Sequence, residues 1–197
     1  MRRQQIALWA VAFGFTAAGW AKPPVPRTAN ELTIVEPSGK QTLLTSQKGE
    51  VVLVQFLYTN CIHCQATARV FSKLQKELGP RGLKVFGVAF NDEVQGTPEV
   101  IHEFIRGNGV TFPVGAASRD TVLGFLGISI MSRFVVPQVL VVDRRGVVRA
   151  QTNAMGSPEL QDEAYMRSFL DGLLKEAAAS TRTAPPKPGT VVQTAHR

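Results

Sequence analysis

Cysteine and histidine are scarce in this chain. Its 197 residues include two cysteines, Cys61 and Cys64, and three histidines. A structural zinc site needs four ligands, usually two cysteine pairs or a cysteine pair with two histidines, and no second cysteine pair is present. A secreted protein that relies on disulfides for stability usually carries several cysteines. The low cysteine count therefore disfavours both a zinc-stabilised fold and a disulfide scaffold.

The chain also lacks a clear transmembrane segment near its N terminus. Residues 6–21 carry no charge, but this stretch is shorter than the roughly 20 apolar residues that span a bilayer. Two arginines precede it, Gly19 and Ala21 provide small residues for cleavage, and Pro23 follows. The pattern predicts an export signal over residues 1–21, with an uncleaved anchor as the alternative. Either one predicts a location outside the cytoplasm, in a bacterial periplasm.

Most of the formal net charge of +7 comes from the two ends of the chain. Without the N-terminal arginines and the tail, residues 180–197, the body carries only about +2. The tail holds three prolines and no acid, which predicts a disordered basic segment. Export excludes nucleic acid as a partner, and only weak attraction to anionic lipid headgroups is expected. We predict a Pro-rich linker over 22–30 and one domain over 31–179.

Alternating strand and helix patterns predict an α/β fold with a mixed central sheet flanked by helices. The uninterrupted apolar run Val51–Leu57 is typical of a strand buried on both faces. Thr97 is a predicted N-cap, Gly107 to Gly109 is expected to break the helix after it, and Ser157-Pro158-Glu159 is expected to start the last helix. The other predicted elements are a hairpin (31–35 with 41–45), helices over 61–78, 98–106, about 118–125 and up to about 179, and strands over 83–90, 110–114, 138–143 and Val147–Gln151.

The two cysteines lie three positions apart, directly after a predicted strand and at the start of a predicted helix. Two thiols one turn apart at a helix N terminus can close a small disulfide and open it again. Two buried core cysteines and a static disulfide are the alternatives, but so small a loop gives a static bridge little entropic stabilisation. The spacing therefore favours a redox-active dithiol that needs no other cofactor.

The position of each thiol predicts its role. Cys61 should lie where free amide N–H groups and the helix dipole stabilise an anion, which makes it the predicted attacking thiolate. Cys64, one turn further in, is the predicted resolving thiol that attacks the mixed disulfide. His63 lies between them and could stabilise the Cys61 thiolate or could be an ordinary surface residue.

Three segments resemble the thioredoxin superfamily: residues 51–64, residues 109–114, and residues 136–146. Within it, the exported TlpA/ResA-like oxidoreductases of the redoxin family are the most similar group. The resemblance implies a thioredoxin fold with a strand–helix insertion within residues 83–114. It also implies exchange with protein thiols, a membrane redox partner, and a role such as cytochrome c biogenesis.

The resemblance assigns further site residues. It implies that Pro137 is a cis-proline facing the disulfide and that the backbone of Val136 pairs with substrate, with Tyr58 as a second substrate-binding candidate. Asp92 matches the acid that follows the inserted strand in such proteins and is a candidate proton acceptor for Cys64, although a solvated loop acid fits the sequence equally well. We expect a monomer.

Some positions depart from the family pattern. Asn60 replaces the usual tryptophan before the first cysteine, and Gln55 replaces the buried acid of thioredoxins. The Ile-His pair between the cysteines is closer to the Pro-His of DsbA oxidases, so reductase and oxidase directions both stay open. Residues 127–134, which hold Met131 and Arg133, form a longer segment that could shape a substrate groove or pack as a loop.

Two other functions are compatible with the cysteine pair. In a thiol peroxidase, Cys61 would be attacked by peroxide, but Tyr58 occupies the position where peroxiredoxins carry threonine. A copper chaperone would use soft thiolates with His102, although related copper proteins use a longer cysteine spacing.

Overall fold

The computed structural model describes residues 24–90 and 96–182, and it describes side chains as far as residue 176. The predicted export signal, Asp92 and most of the predicted basic tail lie outside these residues. No helix in the described ranges is both long enough and apolar enough to cross a membrane.

One mixed eight-stranded sheet organises the fold, in the order β1-β8-β7-β4-β5-β6-β2-β3. Its centre is β4, which pairs in parallel with β5 and antiparallel with β7. All seven residues of β4 are buried, as its apolar sequence predicted. The strands are β1 (Arg27–Thr28), β2 (Thr33–Val35), β3 (Gln41–Leu43), β4 (Val51–Leu57), β5 (Leu83–Ala89), β6 (Val114–Ala116), β7 (Gln138–Val142) and β8 (Val147–Gln151).

Helices cover both faces of the sheet. The helices are α1 (Ile62–Leu78), α2 (Pro98–Asn108), α3 (Arg119–Leu126) and α4 (Glu163–Arg182). Alternate residues of β4 point to opposite faces, so Leu53 and Leu57 join the apolar cluster under α1 and α4, whereas Val54 and Phe56 join the cluster under α3. β5, α2 and the start of β6 occupy the segment where the insertion was expected. The predicted α/β class is confirmed.

The start of the folded domain differs from the sequence prediction. Residues 22–30 were expected to form a linker, but β1 lies within them and pairs antiparallel with β8. Ala29 extends this contact through a hydrogen bond from its N–H to the Gly146 carbonyl at 2.9 Å. Part of the Pro-rich segment is therefore an edge strand.

Two helix boundaries also differ. α2 continues through Gly107 and ends at Gly109, whose φ of 60° suits a glycine at the C-terminal cap. The predicted N-cap Thr97 lies at that position but makes no side-chain capping bond. Pro158–Gln161 forms a separate 3-10 turn, and α4 starts after it, where Asp162 accepts a hydrogen bond from the Tyr165 N–H at 2.8 Å.

Candidate active site

The carboxyl end of β4 delivers the two cysteines to the start of α1. The N–H of Cys61 donates to the Tyr58 carbonyl at 3.1 Å, which closes the turn between strand and helix. Cys61 is the N-cap residue of α1 and keeps an extended backbone conformation (φ −85°, ψ 117°). The predicted strand, turn and helix are all present, and they place the first cysteine at the helix N terminus.

The Cys61 sulfur lies among hydrogen-bond donors of the first helical turn. Its Sγ accepts from the Cys64 N–H at 3.3 Å, the position in which serine or aspartate oxygens cap other helices. The side chain is half-buried, so a partner can reach the sulfur. A negative charge on this atom would be stabilised by that N–H and by the helix dipole.

Cys64 has a different environment. It is fully buried in the apolar cluster under α1, and both cysteines are free thiols. Burial raises the pKa of the Cys64 thiol far above its ordinary value, and hydrogen bonding with Cys61 raises it further. Cys64 therefore needs a proton acceptor before it can attack a disulfide formed on Cys61.

The segment before β7 lies opposite the cysteines. The Val136–Pro137 peptide bond is cis, as the resemblance implied. The Val136 carbonyl oxygen is 3.9 Å from Cys61 Sγ, within reach of a weak thiol hydrogen bond. Val136 is half-buried and Pro137 is buried. The structure thus brings Cys61, Cys64, Val136 and Pro137 together across about 75 residues of sequence.

Gln55 is fully buried in β4 and points toward α1. Its Nε2 donates to the Cys64 carbonyl oxygen at 2.8 Å, which anchors the first turn of the helix to the sheet. Its Oε1 has no hydrogen-bond partner among the described atoms. The residue that the sequence marked as a missing acid is therefore a neutral anchor for Cys64.

Gln138 is a site residue that the sequence analysis did not identify. It is fully buried at the start of β7, and its Nε2 lies 2.7 Å from the Val135 carbonyl and 3.2 Å from the Asn153 carbonyl. Those contacts fix the backbone directly before Val136. The available signal was a polar residue in an otherwise apolar strand, and Gln55 shows the same signal within β4.

An aromatic series supports the same segment from the opposite face of the sheet. The Tyr58 and Phe90 rings are 5.1 Å apart between centroids, and Phe90 and Phe134 are 6.1 Å apart. The Arg119 guanidinium lies 5.6 Å from the Phe134 ring centre. The Tyr58 ring is thus half-buried against the cluster under α3, and the residue touches the site through its carbonyl, which accepts the Cys61 N–H.

The two histidines considered for the site, His63 and His102, are both on the surface. His63 and Ile62 are exposed in the first turn of α1, between the two cysteines. His102 is exposed on α2, and no group of three or more His, Cys, Asp or Glu side chains converges within the described ranges.

Comparisons with known proteins identify the family and the fold. The sequence matches the AhpC/TSA family over residues 25–151. A thiol:disulfide interchange protein of the thioredoxin family from Chlorobium tepidum TLS superposes with a TM-score of 0.62 and 22% identity, over 77% of this chain and 99% of that chain. The thioredoxin domain of a thiol-disulfide oxidoreductase from Bacteroides vulgatus gives 0.58 and 20%, over 74% and 96%.

A thiol:disulfide interchange protein from a Bacteroides species gives a TM-score of 0.58 and 21% identity, over 75% of this chain and 90% of that chain. No curated protein matches the sequence significantly. At these identities the likeness to solved structures establishes the thioredoxin fold.

Proposed function

This chain belongs to the AhpC/TSA family, and from that premise we propose that it is a thiol–disulfide oxidoreductase acting on protein cysteines through Cys61 and Cys64. One observation carries the proposal. An accessible Cys61 sulfur accepts the Cys64 N–H at a helix N terminus, and the second thiol is buried one turn behind it. This arrangement suits one thiol for attack on a partner and the other for internal resolution.

The reduction of a partner disulfide proceeds in two exchange steps. The Cys61 thiolate attacks one partner sulfur, a new S–S bond forms, and the other partner sulfur leaves as a thiolate. Cys64 then gives up its proton to the partner thiolate released in the first step, and its sulfur attacks Cys61 Sγ. The internal disulfide closes, the first partner sulfur leaves as a thiolate, and two electrons have passed to the partner.

The finer proposal is an extracytoplasmic reductase of the TlpA/ResA type, with roles such as the reduction of apocytochrome thiols. The N-terminal signal pattern supports export, and the sequence resemblance supports the reductase direction. Export separates the protein from cytoplasmic reductants, so a membrane redox partner would return electrons to the Cys61–Cys64 pair. The dithiol itself carries the electrons, and the protein acts as a monomer without another cofactor.

Trapping of mixed disulfides tests the proposal directly. A Cys64→Ser variant should accumulate partner proteins linked to Cys61, because the resolving thiol is gone. Non-reducing gels of envelope extracts should show these species, and added dithiothreitol should release them. Cys61→Ser is the matched control and should trap nothing.

The same variants separate thiol exchange from other chemistry. The proposal would be contradicted if no mixed disulfide were trapped and if the Cys61–Cys64 pair also failed to react with glutathione disulfide. The protein would instead be a thiol peroxidase if it consumed hydrogen peroxide in a reaction that depends on Cys61. The rate of that reaction would have to equal or exceed the rate of thiol–disulfide exchange.

A further inference from the structure

A cavity of about 410 Å³ lies between the turn that carries the cysteines and α2. Thr59, Asn60 and Gln65 line it from the turn and the start of α1, and Glu103, Phe104 and Asn108 line it from α2. The exchange steps described above use none of these side chains. The cavity is therefore available for a further role.

The cavity adjoins the attacking cysteine on the side of β5 and α2. Asn60 directly precedes Cys61, so their Cα atoms are about 3.8 Å apart. The Gln65 N–H donates to the Cys61 carbonyl at 3.0 Å, and Gln65 Nε2 donates to the Thr59 carbonyl at 3.0 Å. Val136 leads into β7, whereas α2 connects β5 with β6, and β5 and β7 flank β4 on opposite sides. The cavity is therefore separate from the contact between Cys61 and Val136.

The charge in the lining favours a cationic group. Among the described lining residues only Glu103 is charged, and it is exposed and forms no ion pair within the described part of the chain. A carboxylate in this position can accept a charge-assisted hydrogen bond from an ammonium group. An anionic ligand would be repelled at the same place.

The other lining groups suit a short chain that carries an amide. Phe104 is buried and provides an apolar surface together with Val100. Asn108 is held in place, because its Oδ1 accepts from Arg69 Nη1 at 2.7 Å and its Nδ2 donates to the Phe104 carbonyl at 3.0 Å. The exposed amide of Asn60 offers both a donor and an acceptor to a ligand. The lining thus fits a ligand with an ammonium group, an amide and a few methylene groups.

We infer that this cavity binds an amine-bearing low-molecular-weight thiol while the sulfur of that thiol is bonded to Cys61. Disulfides of such small thiols are then a second class of substrate, beside the protein cysteines of the proposed function. The inference rests on the proposed function, because Cys61 and Cys64 carry out the exchange.

The reaction uses the same two exchange steps. The Cys61 thiolate attacks one sulfur of the small disulfide, a new S–S bond forms at Cys61, and the other half leaves as a thiolate. Cys64 gives its proton to that thiolate, and its sulfur attacks Cys61 Sγ. The internal disulfide closes, and the half held in the cavity leaves as a second thiolate that takes a proton from the solvent. Two electrons have passed from the protein to the small disulfide.

Two disulfides that differ only in charge provide the test. The disulfide of β-alanylcysteamine carries an ammonium group at the end of an amide chain about two residues long, roughly 7 Å. Acetylation of its amine removes the charge. We expect the reduced protein to react about fivefold faster with the amine form, the order of effect of one partly exposed ion pair. Acid quenching, alkylation and mass spectrometry give the second-order rate constants.

A charge variant of α2 links this preference to the cavity. Glu103→Gln keeps the size of the side chain but removes its charge, so the preference should fall toward one. Glu99 is an exposed acid in the first turn of the same helix and does not line the cavity. Glu99→Gln is therefore the matched control and should keep the preference.

Filling the cavity gives an independent measurement. Gly107 lies in the lining, and a Cβ built on it would have no described atom within 4 Å apart from its own helix. Gly107→Leu should slow the reaction with β-alanylcysteamine disulfide by about fivefold and leave the smaller bis(2-hydroxyethyl) disulfide unaffected. Gly172→Leu, at an equally open position on α4, is the control and should react with both as the unmodified protein does.

The outcomes separate this inference from the function it depends on. Equal rates on the two β-alanylcysteamine disulfides, a preference that survives in Glu103→Gln, or unmodified rates for Gly107→Leu would each overturn the inference while exchange chemistry stands. An unmodified protein that reacts with none of the three disulfides would overturn the proposed function itself.

Discussion

Both ends of strand β7 bury a polar side chain, but the buried group is neutral at one end and charged at the other. At the end next to Cys61, Gln138 is fully buried and neutral, and so is Gln55 on the adjacent strand. At the other end, Asp143 is buried but charged: it accepts from the Val147 N–H at 3.0 Å and forms ion pairs with Arg145 and Arg149. The fold therefore has a neutral thiol end and a charged far end.

The difference shows that the fold keeps its buried carboxylate at the end of β7 away from the reactive thiols. Burial opposes ionisation of Asp143, but hydrogen bonds from Val147, Arg145 and Arg149 outweigh it and lower the pKa of the carboxyl. A buried carboxylate beside the cysteines would repel a thiolate. At the thiol end, the amide of Gln55 orients the first turn of α1 without adding a negative charge.

The largest expected effect comes from placing a carboxyl group at the thiol end. In Gln55→Glu, burial should raise the pKa of the new carboxyl in the folded state above its unfolded value of about 4.3. The folded state then holds its proton more tightly, so stability is retained at low pH and lost as the pH rises. We expect a loss on the order of 3 kcal/mol at pH 8, and less at pH 5, in urea unfolding of the reduced protein.

Gln41→Glu, at an exposed position on β3, is the matched control and should show little pH dependence. Equal stability of Gln55→Glu at pH 5 and pH 8 would mean that the thiol end accepts a charge as readily as the far end. The comparison between the two ends would then fail.

A smaller effect is expected from removing the charge at the far end. Asp143→Asn keeps one acceptor oxygen but loses the charge-assisted bonds to the arginines, which should cost about 1–3 kcal/mol near neutral pH. Because the pKa of Asp143 is lowered, its contribution is present above the unfolded value of about 3.9 and disappears as the pH falls through the folded value. The stabilities of the two proteins should therefore begin to converge as the pH falls below about 4. A constant difference down to pH 2 would assign the effect to packing.

The smallest effect concerns His63, which is exposed between the two thiols in the first turn of α1. In its protonated form, His63 would favour the Cys61 thiolate and so the reduced pair. His63→Gln should make the pair more reducing by about 10–20 mV, equivalent to about 0.5–1 kcal/mol. Equilibration with glutathione at neutral pH measures this shift, and His102→Gln on α2 is the control. Identical potentials in the two variants would leave His63 without a redox role.

The sequence predicted the parts of the site that are local in the chain. The run Val51–Leu57 was identified as a buried strand with its observed bounds, and the spacing of Cys61 and Cys64 placed both thiols in the first turn of a helix. Strand burial and helix capping depend on neighbouring residues, which a sequence pattern displays directly. The position of Pro137 opposite Cys61 came from the family resemblance and not from any local pattern.

The parts that were missed depend on contacts between distant segments. β1 exists because it pairs with β8, about 120 residues later in the chain, and nothing in Arg27–Thr28 alone favours a strand. Gln138 acts by joining the start of β7 to the Asn153 carbonyl in the segment after β8, and the two meet only in the folded chain. The helix break expected over Gly107 to Gly109 comes only at Gly109, because the glycine at 107 lowers helix stability by only about 1 kcal/mol.

The edges of the sheet bear on how readily the protein aggregates. Among the described residues, the outermost strands β1 and β3 are two and three residues long. Long unpaired edges invite further strands and lead to aggregation, whereas short edges offer too few hydrogen bonds. A second polypeptide that meets either edge thus finds little backbone on which to extend the sheet.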